Sequence, residues 1–157
     1  MAVIYLETLI DAKIQDVFDL ARDIDLHQKS TARSHEKAIG GRMSGLIEEN
    51  ETVTWKAKHL GIYQTLTSKI ISMEKPYQFT DIMVKGAFRS MRHRHIFKEA
   101  EGKTKMTDVF EFESPLGIIG KLFNMIFLTR YLRTFLVERN QLIKTTAEAL
   151  KNNEVNR

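Results

Sequence analysis

The stretch from Ser114 to about Leu150 leaves the rest of the chain the fewest options. It opens on Ser114-Pro115, a residue that caps helices followed by one suited to the first helical position. No proline follows, and its only glycines, Gly117 and Gly120, fall in the opening turns. Ile118, Leu122, Met125, Leu132, Leu136, Ile143, Ala147 and Leu150 recur on one stripe at helical spacing. One long helix is therefore predicted, about 50 Å from end to end at about 1.5 Å per residue. That exceeds the roughly 40 Å expected across a domain of this size. The end of the helix is expected to fray, leaving Lys151 to Arg157 as a loose tail.

Upstream the period changes from helical to alternating. Ala2 to Ile10 alternates weakly and has apolar residues on both faces, which suits a covered or edge strand. Asp11 offers an N-cap to a short amphipathic helix that carries Ile14, Val17, Phe18, Ala21 and Ile24 and runs to about Arg22. Asp25 to Ala32 reads as a second short helix or turn, and Ser34 to Ile39 as a modest strand ended by Gly40-Gly41. A loop follows from Arg42 to Asn50.

Beyond it the alternation is regular. Strands are predicted over Thr52 to Leu60, Ile62 to Met73, Tyr77 to Lys85, Phe88 to Lys98 and Thr104 to Glu113, separated by Gly61, Pro76, Gly86 and Glu101-Gly102. Short turns between successive strands make an antiparallel meander of about five, with the two earlier strands at its edge. The fold class is α+β: a curved antiparallel sheet of about seven strands round a long C-terminal helix, with two short helices after the first strand. The chain reads as one domain, 1–157, without repeats or a linker.

The alternation also sorts the polar residues. The face that carries Phe79, Met83, Met91, Phe97, Met106, Phe110 and Phe112 also carries Asp81, His93, His95 and Asp108, and His59 shares a face with Trp55. If the strands pair in order, an internal belt of carboxylates and imidazoles results. Buried charges need partners, since breaking a buried pair costs about 3–5 kcal/mol. The belt suits a structural network that fixes register, or a set of polar anchors for a ligand's carbonyl or hydroxyl groups. His93-x-His95 beside a carboxylate would also suit zinc or iron, but a lone His-x-His is a weak signal. Neither a metal nor another cofactor is expected.

Arg139 falls on the apolar stripe, three residues after Leu136 and four before Ile143. Its head either pairs with an acid such as Asp108 or Glu111, or holds an anionic ligand head in a cavity. The first half of the helix, from Leu116 to Leu128, is apolar nearly all round, and Arg130, Tyr131 and Arg133 follow. Loop cover, a second copy in a homodimer, or a transient contact with a membrane surface would each satisfy it. Lys121 and Asn124 make this run too short and too polar to span a bilayer.

Composition bounds the function classes. The 157 residues include no cysteine, which excludes disulfides, thiolate catalysis and cysteine-ligated metals. The net charge of +4 comes without a basic run interleaved with exposed aromatics, so nucleic acid is not an expected partner. Met1 to Ile10 lacks the charged start and cleavage site of a signal peptide, which leads to the expectation of a soluble, cytoplasmic protein. No phosphate loop, nucleophile elbow or His-Glu-x-x-His string is present.

Several strings together are specific where each alone is weak: Val53-Thr54-Trp55-Lys56-Ala57-Lys58-His59-Leu60-Gly61, Phe79-Thr80-Asp81-Ile82-Met83, Gly86-Ala87-Phe88, His93-Arg94-His95-Ile96-Phe97, Met106-Thr107-Asp108 and Pro115-Leu116-Gly117. On these, over almost its whole length, the chain resembles the START-like, birch-pollen-allergen-like helix-grip superfamily of polyketide cyclase/dehydrase and lipid-transport proteins. Within it the strings are most similar to a bacterial group of uncharacterised ligand-binding proteins. The resemblance implies seven strands gripping the C-terminal helix round a deep cavity for lipids, sterols, polyketides or plant hormones. It implies no shared catalytic set, and most members are metal-free.

The combined expectation is a binder of a small hydrophobic molecule, as a monomer or homodimer. Trp55, His59, Phe79, Asp81, Met83, Met91, His93, His95, Phe97, Asp108, Phe110, Leu122, Met125 and Arg139 would line its cavity. The alternatives are a cyclase or dehydratase that uses a His–Asp pair on the same cavity, or a membrane-associated lipid or quinone carrier.

Overall fold

The computed structural model describes residues 1–59, 61–114 and 121–156, without the side chains of 33, 121–125 and 155. Seven strands run in chain order as β1 (Ala2–Ile10), β2 (Lys37–Gly41), β3 (Thr52–His59), β4 (Ile62–Glu74), β5 (Gln78–Lys85), β6 (Ser90–Ala100) and β7 (Lys103–Glu113). Three helices join them: α1 (Ile14–Ala21), α2 (Ile24–Ser30) and α3 (Lys121–Val155), with a short 3₁₀ turn at Ala32–Ser34. The strands form one antiparallel sheet in the order β1-β7-β6-β5-β4-β3-β2. This is the helix-grip plan: β3 to β7 form the meander, while β1 and β2 close its two edges.

Residues that share a period share the concave face. Val53, Trp55 and Ala57 on β3, Ser68 and Ile70 on β4, Phe79 on β5, and Met91, His93, His95 and Phe97 on β6 are all buried. Register shifts at Ala38/Gly40, Thr67/Ser68 and Ile70/Ser72 place bulges on β2, β5 and β4 in turn, which bend that side of the sheet. Gly41 permits the tightest approach: it holds φ +71, and a Cβ there would lie 2.1 Å from the Thr52 carbonyl oxygen.

The main core lies where α1 and α2 meet the sheet and the C-terminal half of α3. Phe18, from α1, inserts edge-on between Phe79 and Phe97, with ring centroids 5.6 and 5.3 Å away. Ile143 and Ala147 complete that layer from α3. A smaller cluster of Ile4, Leu6, Phe112 and Leu136 fastens the middle of α3 to β1 and β7.

Two sequence expectations differ from the fold. Asp11 does not cap α1, which begins after Lys13 without a side-chain cap. Asp11 instead ion-pairs with Lys151, 2.5 Å away on α3. The cap that does form is Asp23 on α2, which accepts from the Asp25 and Leu26 amides. The C-terminal tail is helical to Val155 rather than loose, and Glu154 meets Lys13 at 2.7 Å. The opening of the long helix, including the Pro115 start and Ile118, lies outside the described residues. Among those described, no helix is long and apolar enough to cross a membrane.

Candidate functional site

Between the concave face and α3 lies a cavity of about 410 Å³. Each strand from β3 to β7 contributes to its wall, and α3 supplies Tyr131, Phe135, Leu136 and Arg139. Most of the wall is apolar, and two polar groups interrupt it.

The first group is built on β5, β6 and β7. Asp81 pairs with His93 across β5–β6, and His95 with Asp108 across β6–β7. The hydrogen bonds then run diagonally. The His93 Nε2–H donates to Asp108 Oδ1 at 2.9 Å, and the His95 Nε2–H donates to Asp81 Oδ1 at 3.2 Å. Arg139 Nη1 approaches Asp108 Oδ1 at 3.5 Å, while its Nη2 donates to the Ala21 carbonyl at 2.8 Å. Asn140 Nδ2 donates to Asp108 Oδ2 at 2.7 Å. His95 Nδ1 lies 3.0 Å from Asp108 Oδ1, but off the direction of a hydrogen bond, so it makes none.

Charge is distributed unevenly in this group. Burial pushes His93 down to about 4, helped by His95 and opposed by Asp108 and Asp81. His93 is thus neutral near pH 7, and with Nε2 as donor its lone pair sits on Nδ1. Burial alone would raise Asp108, but His93 and His95 hold it well below the ordinary carboxylate range. Asp81 is likewise lowered against its own burial by His95 and His93. The result is two anionic carboxylates, one guanidinium and a neutral imidazole in a largely buried setting.

The second group lies two strands away, on the β2–β3 side. His27 stacks on Trp55 with ring centroids 4.3 Å apart, and its Nε2 is 3.5 Å from Glu36 Oε1. Burial would raise Glu36, but His27, His59 and Thr31 outweigh it and lower the carboxyl. His59 Nδ1 shares a hydrogen bond of 3.1 Å with the Tyr131 hydroxyl and meets Phe135 edge-on.

Of the predicted site residues, Trp55, His59, Phe79, Asp81, Met91, His93, His95, Phe110 and Arg139 lie on the wall. Three do not. Asp108 is fully buried behind it, with both oxygens held by His93, Arg139 and Asn140. Phe97 is under α1, sealed by Phe18 and Phe79. Met83 turns to the β5–β6 bend, where its Sδ would be 2.8 Å from a Cβ on Gly86. The side chains of Leu122 and Met125 lie outside the described residues.

Alternation missed His27, Glu36, Tyr131 and Asn140. Only Asn140 carried a usable signal: it follows Leu136 by four residues and precedes Ile143 by three, so it falls on the same stripe as Arg139.

Asp81, His93 and His95 each turn one potential ligand atom to within 4.8 Å of the others and could hold a metal ion. A divalent cation there would compete with the His95–Asp81 hydrogen bond and sit close to the Arg139 guanidinium. Chemically the arrangement can accept protons at His93 and donate hydrogen bonds from Arg139.

The sequence matches no family model, and no curated protein matches it. Solved structures match the fold. A Thermus thermophilus protein superposes with a TM-score of 0.72 at 13% identity, covering 93% of this chain and 99% of that one. The major latex-like protein 151 of Panax ginseng gives 0.66 at 16% identity over 93% of this chain and 97% of its own. A Chromobacterium violaceum protein gives 0.68 at 8% identity over 93% and 96%. At these identities the likeness is one of fold: seven antiparallel strands gripping a C-terminal helix.

Proposed function

We propose that this helix-grip domain binds a small hydrophobic molecule, of the lipid, polyketide or aromatic-metabolite class, between its sheet and α3. The observation that carries the reading is the cavity of about 410 Å³, a volume within the ordinary range of ligand pockets. Its walls are mainly aromatic and aliphatic, and its few polar groups converge on the interior rather than on solvent. Trp55 and Phe79 offer flat faces to a ring or chain. Arg139 and Asp81 offer a donor and an acceptor to a carbonyl, hydroxyl or carboxylate.

One observation favours a second reading, a cyclase or dehydratase. His93 is neutral, hydrogen-bonded to an ionised carboxylate and on the cavity wall. Such an imidazole can take a proton from a bound substrate within reach, as a base weakened by the burial that holds it down to about 4.

Native mass spectrometry on protein purified from its own host, followed by extraction, tests the first reading. A stoichiometric apolar molecule is expected. Trp55, the only tryptophan, lies on the wall and reports occupancy through its emission. An empty protein whose Trp55 emission ignores a panel of fatty acids, sterols and aromatic polyketides would count against it. Turnover of such a compound by wild type but not by His93→Gln would move the reading to the enzyme.

A further inference from the structure

We propose that the mouth of the cavity is a docking surface for an anionic lipid bilayer. Charge is unevenly distributed along the sequence. Segments 52–73, 82–98 and 114–137 contain eleven Lys and Arg and no Asp or Glu. The rest of the chain holds thirteen Lys and Arg against twenty Asp and Glu. The three acid-free segments contain the elements around the mouth: the β3–β4 hairpin, the β5–β6 connection and the first described turns of α3. Acids are frequent elsewhere, on α1, α2, the loop before β3, the β4–β5 and β6–β7 turns, β7 and the C-terminal half of α3; Glu113, 3.8 Å from Arg89, is an acid that borders the β5–β6 connection. A net charge of +4 conceals a molecule that is basic at its mouth and acidic at its other end.

The same rim exposes apolar side chains. Ile62 is 64% exposed, Ile126 70% and Phe127 46%. They belong to one surface. Ile62 pairs with His59 across the β3–β4 hairpin, His59 is hydrogen-bonded to Tyr131, and Tyr131 stacks on Phe127 one turn back along α3. Cations lie on the outer face of the same hairpin and one turn along α3. The ammonium groups of Lys56 and Lys58 lie 5.3 and 5.7 Å from the Tyr63 ring centroid, and Arg130 follows Ile126 by one helical turn.

Aliphatic and aromatic tips that enter the acyl boundary, with cations beside them at phosphate level, are what an interfacial lipid site requires. A nucleic acid would reward the cations but leave Ile62 and Ile126 without partners. A second copy, mouth to mouth, would set two like-charged ends against each other. The placement also has a use: a hydrophobic ligand could pass between bilayer and cavity without crossing water. That use rests on the proposed binding function; the docking itself does not.

The full chain is sedimented with phosphatidylcholine vesicles, with and without about one third phosphatidylglycerol. Partition into the anionic vesicles only is expected, weakening as salt rises. Lys56→Glu with Lys58→Glu should lower it at least about tenfold, and Ile126→Asp should lower it too. Lys75→Glu with Lys103→Glu, at the opposite turns, should leave it unchanged. All five positions are exposed, and thermal melts confirm that each variant folds. The proposal is overturned by any of four results: no partition into anionic vesicles, partition indifferent to charge reversal at the mouth, a dimer broken by Ile126→Asp without lipid, or preference for duplex DNA over vesicles. None of these bears on the interior, which Trp55 emission reads separately.

Discussion

Removing the Asp108 carboxylate would strand three partners at once: His93, Arg139 and Asn140, all buried. Asp108→Asn is therefore expected to destabilise by about 3–5 kcal/mol, the range for breaking a buried pair. Urea unfolding near neutral pH measures it. Arg139→Met in the same chain should recover part of the loss, because the unpaired cation goes with it. Additive losses would show that the two groups do not interact. His93 gives a separate signature. Its folded-state value of about 4 lies below the roughly 6.5 of an unfolded histidine. Between these values the unfolded chain holds the extra proton, so stability rises with pH across that window. The contribution is complete above about pH 6.5 and is lost as pH falls through about 4. At about 1.4 kcal/mol per pH unit, the window is worth about 3 kcal/mol. Asp81 and Asp108, both lowered, give up their share only below about pH 4. Urea midpoints should fall between about pH 7 and pH 4.5 in wild type, and His93→Gln should flatten that slope. A wild-type midpoint that does not move would contradict a buried neutral imidazole.

Helix α3 shows what spacing can and cannot say about an element. Its apolar stripe was readable because Leu136, Ile143 and Ala147 are spaced to face one sheet, and all three are buried. Arg139 was readable as an anomaly on the same stripe. The end of the helix was not, because Lys151–Asp11 and Lys13–Glu154 join residues 140 and 141 positions apart, and no local pattern encodes them. The strands were legible for the same reason as the stripe: a period of two fixes which face a side chain takes. It does not fix depth along that face. His95 and Phe97 share a face of β6, yet one lines the cavity and the other lies under α1. Helix α2 is too short to show a period, so nothing marked His27 as a wall residue. The two ends of α3 should also differ energetically. Ile143→Ala, at a site 1% exposed, should cost about 2–5 kcal/mol. Among the described side chains, deleting 151–157 removes the surface ion pairs of Lys151 and Glu154, and it should cost about 1 kcal/mol or less. If the deletion costs as much as Ile143→Ala, the tail is part of the core rather than an extension of it.

At the scale of the whole molecule, the cavity divides a well-packed half from a loosely filled one. Phe18, Phe79, Phe97, Met106 and Ile143 fill the α1 end, while the mouth end keeps about 410 Å³ open beneath the same sheet. Cavity walls lack packing partners on one side, so open volume is a standing cost to stability. A fold selected for stability alone would fill it, and larger side chains are available at several wall positions. Ser68 and Ala57 face the cavity and are nearly sealed from solvent, at 6% and 4% exposure. Ser68→Leu and Ala57→Leu each project new apolar atoms into that volume. Each is expected to leave stability unchanged or raise it by about 1 kcal/mol, the usual gain from filling a cavity. Binding should move the other way: any hydrophobic probe that changes Trp55 emission in wild type should bind at least about tenfold more weakly to either variant, by lost volume alone. Urea unfolding and Trp55 titration on the same samples read both quantities. Gain of stability with loss of binding would mark the space as kept open for a ligand. Loss of stability would mean the wall cannot accept the added atoms, and the cavity would then be a consequence of rigid packing around it. Gain of stability with binding intact would place the ligand elsewhere on the molecule.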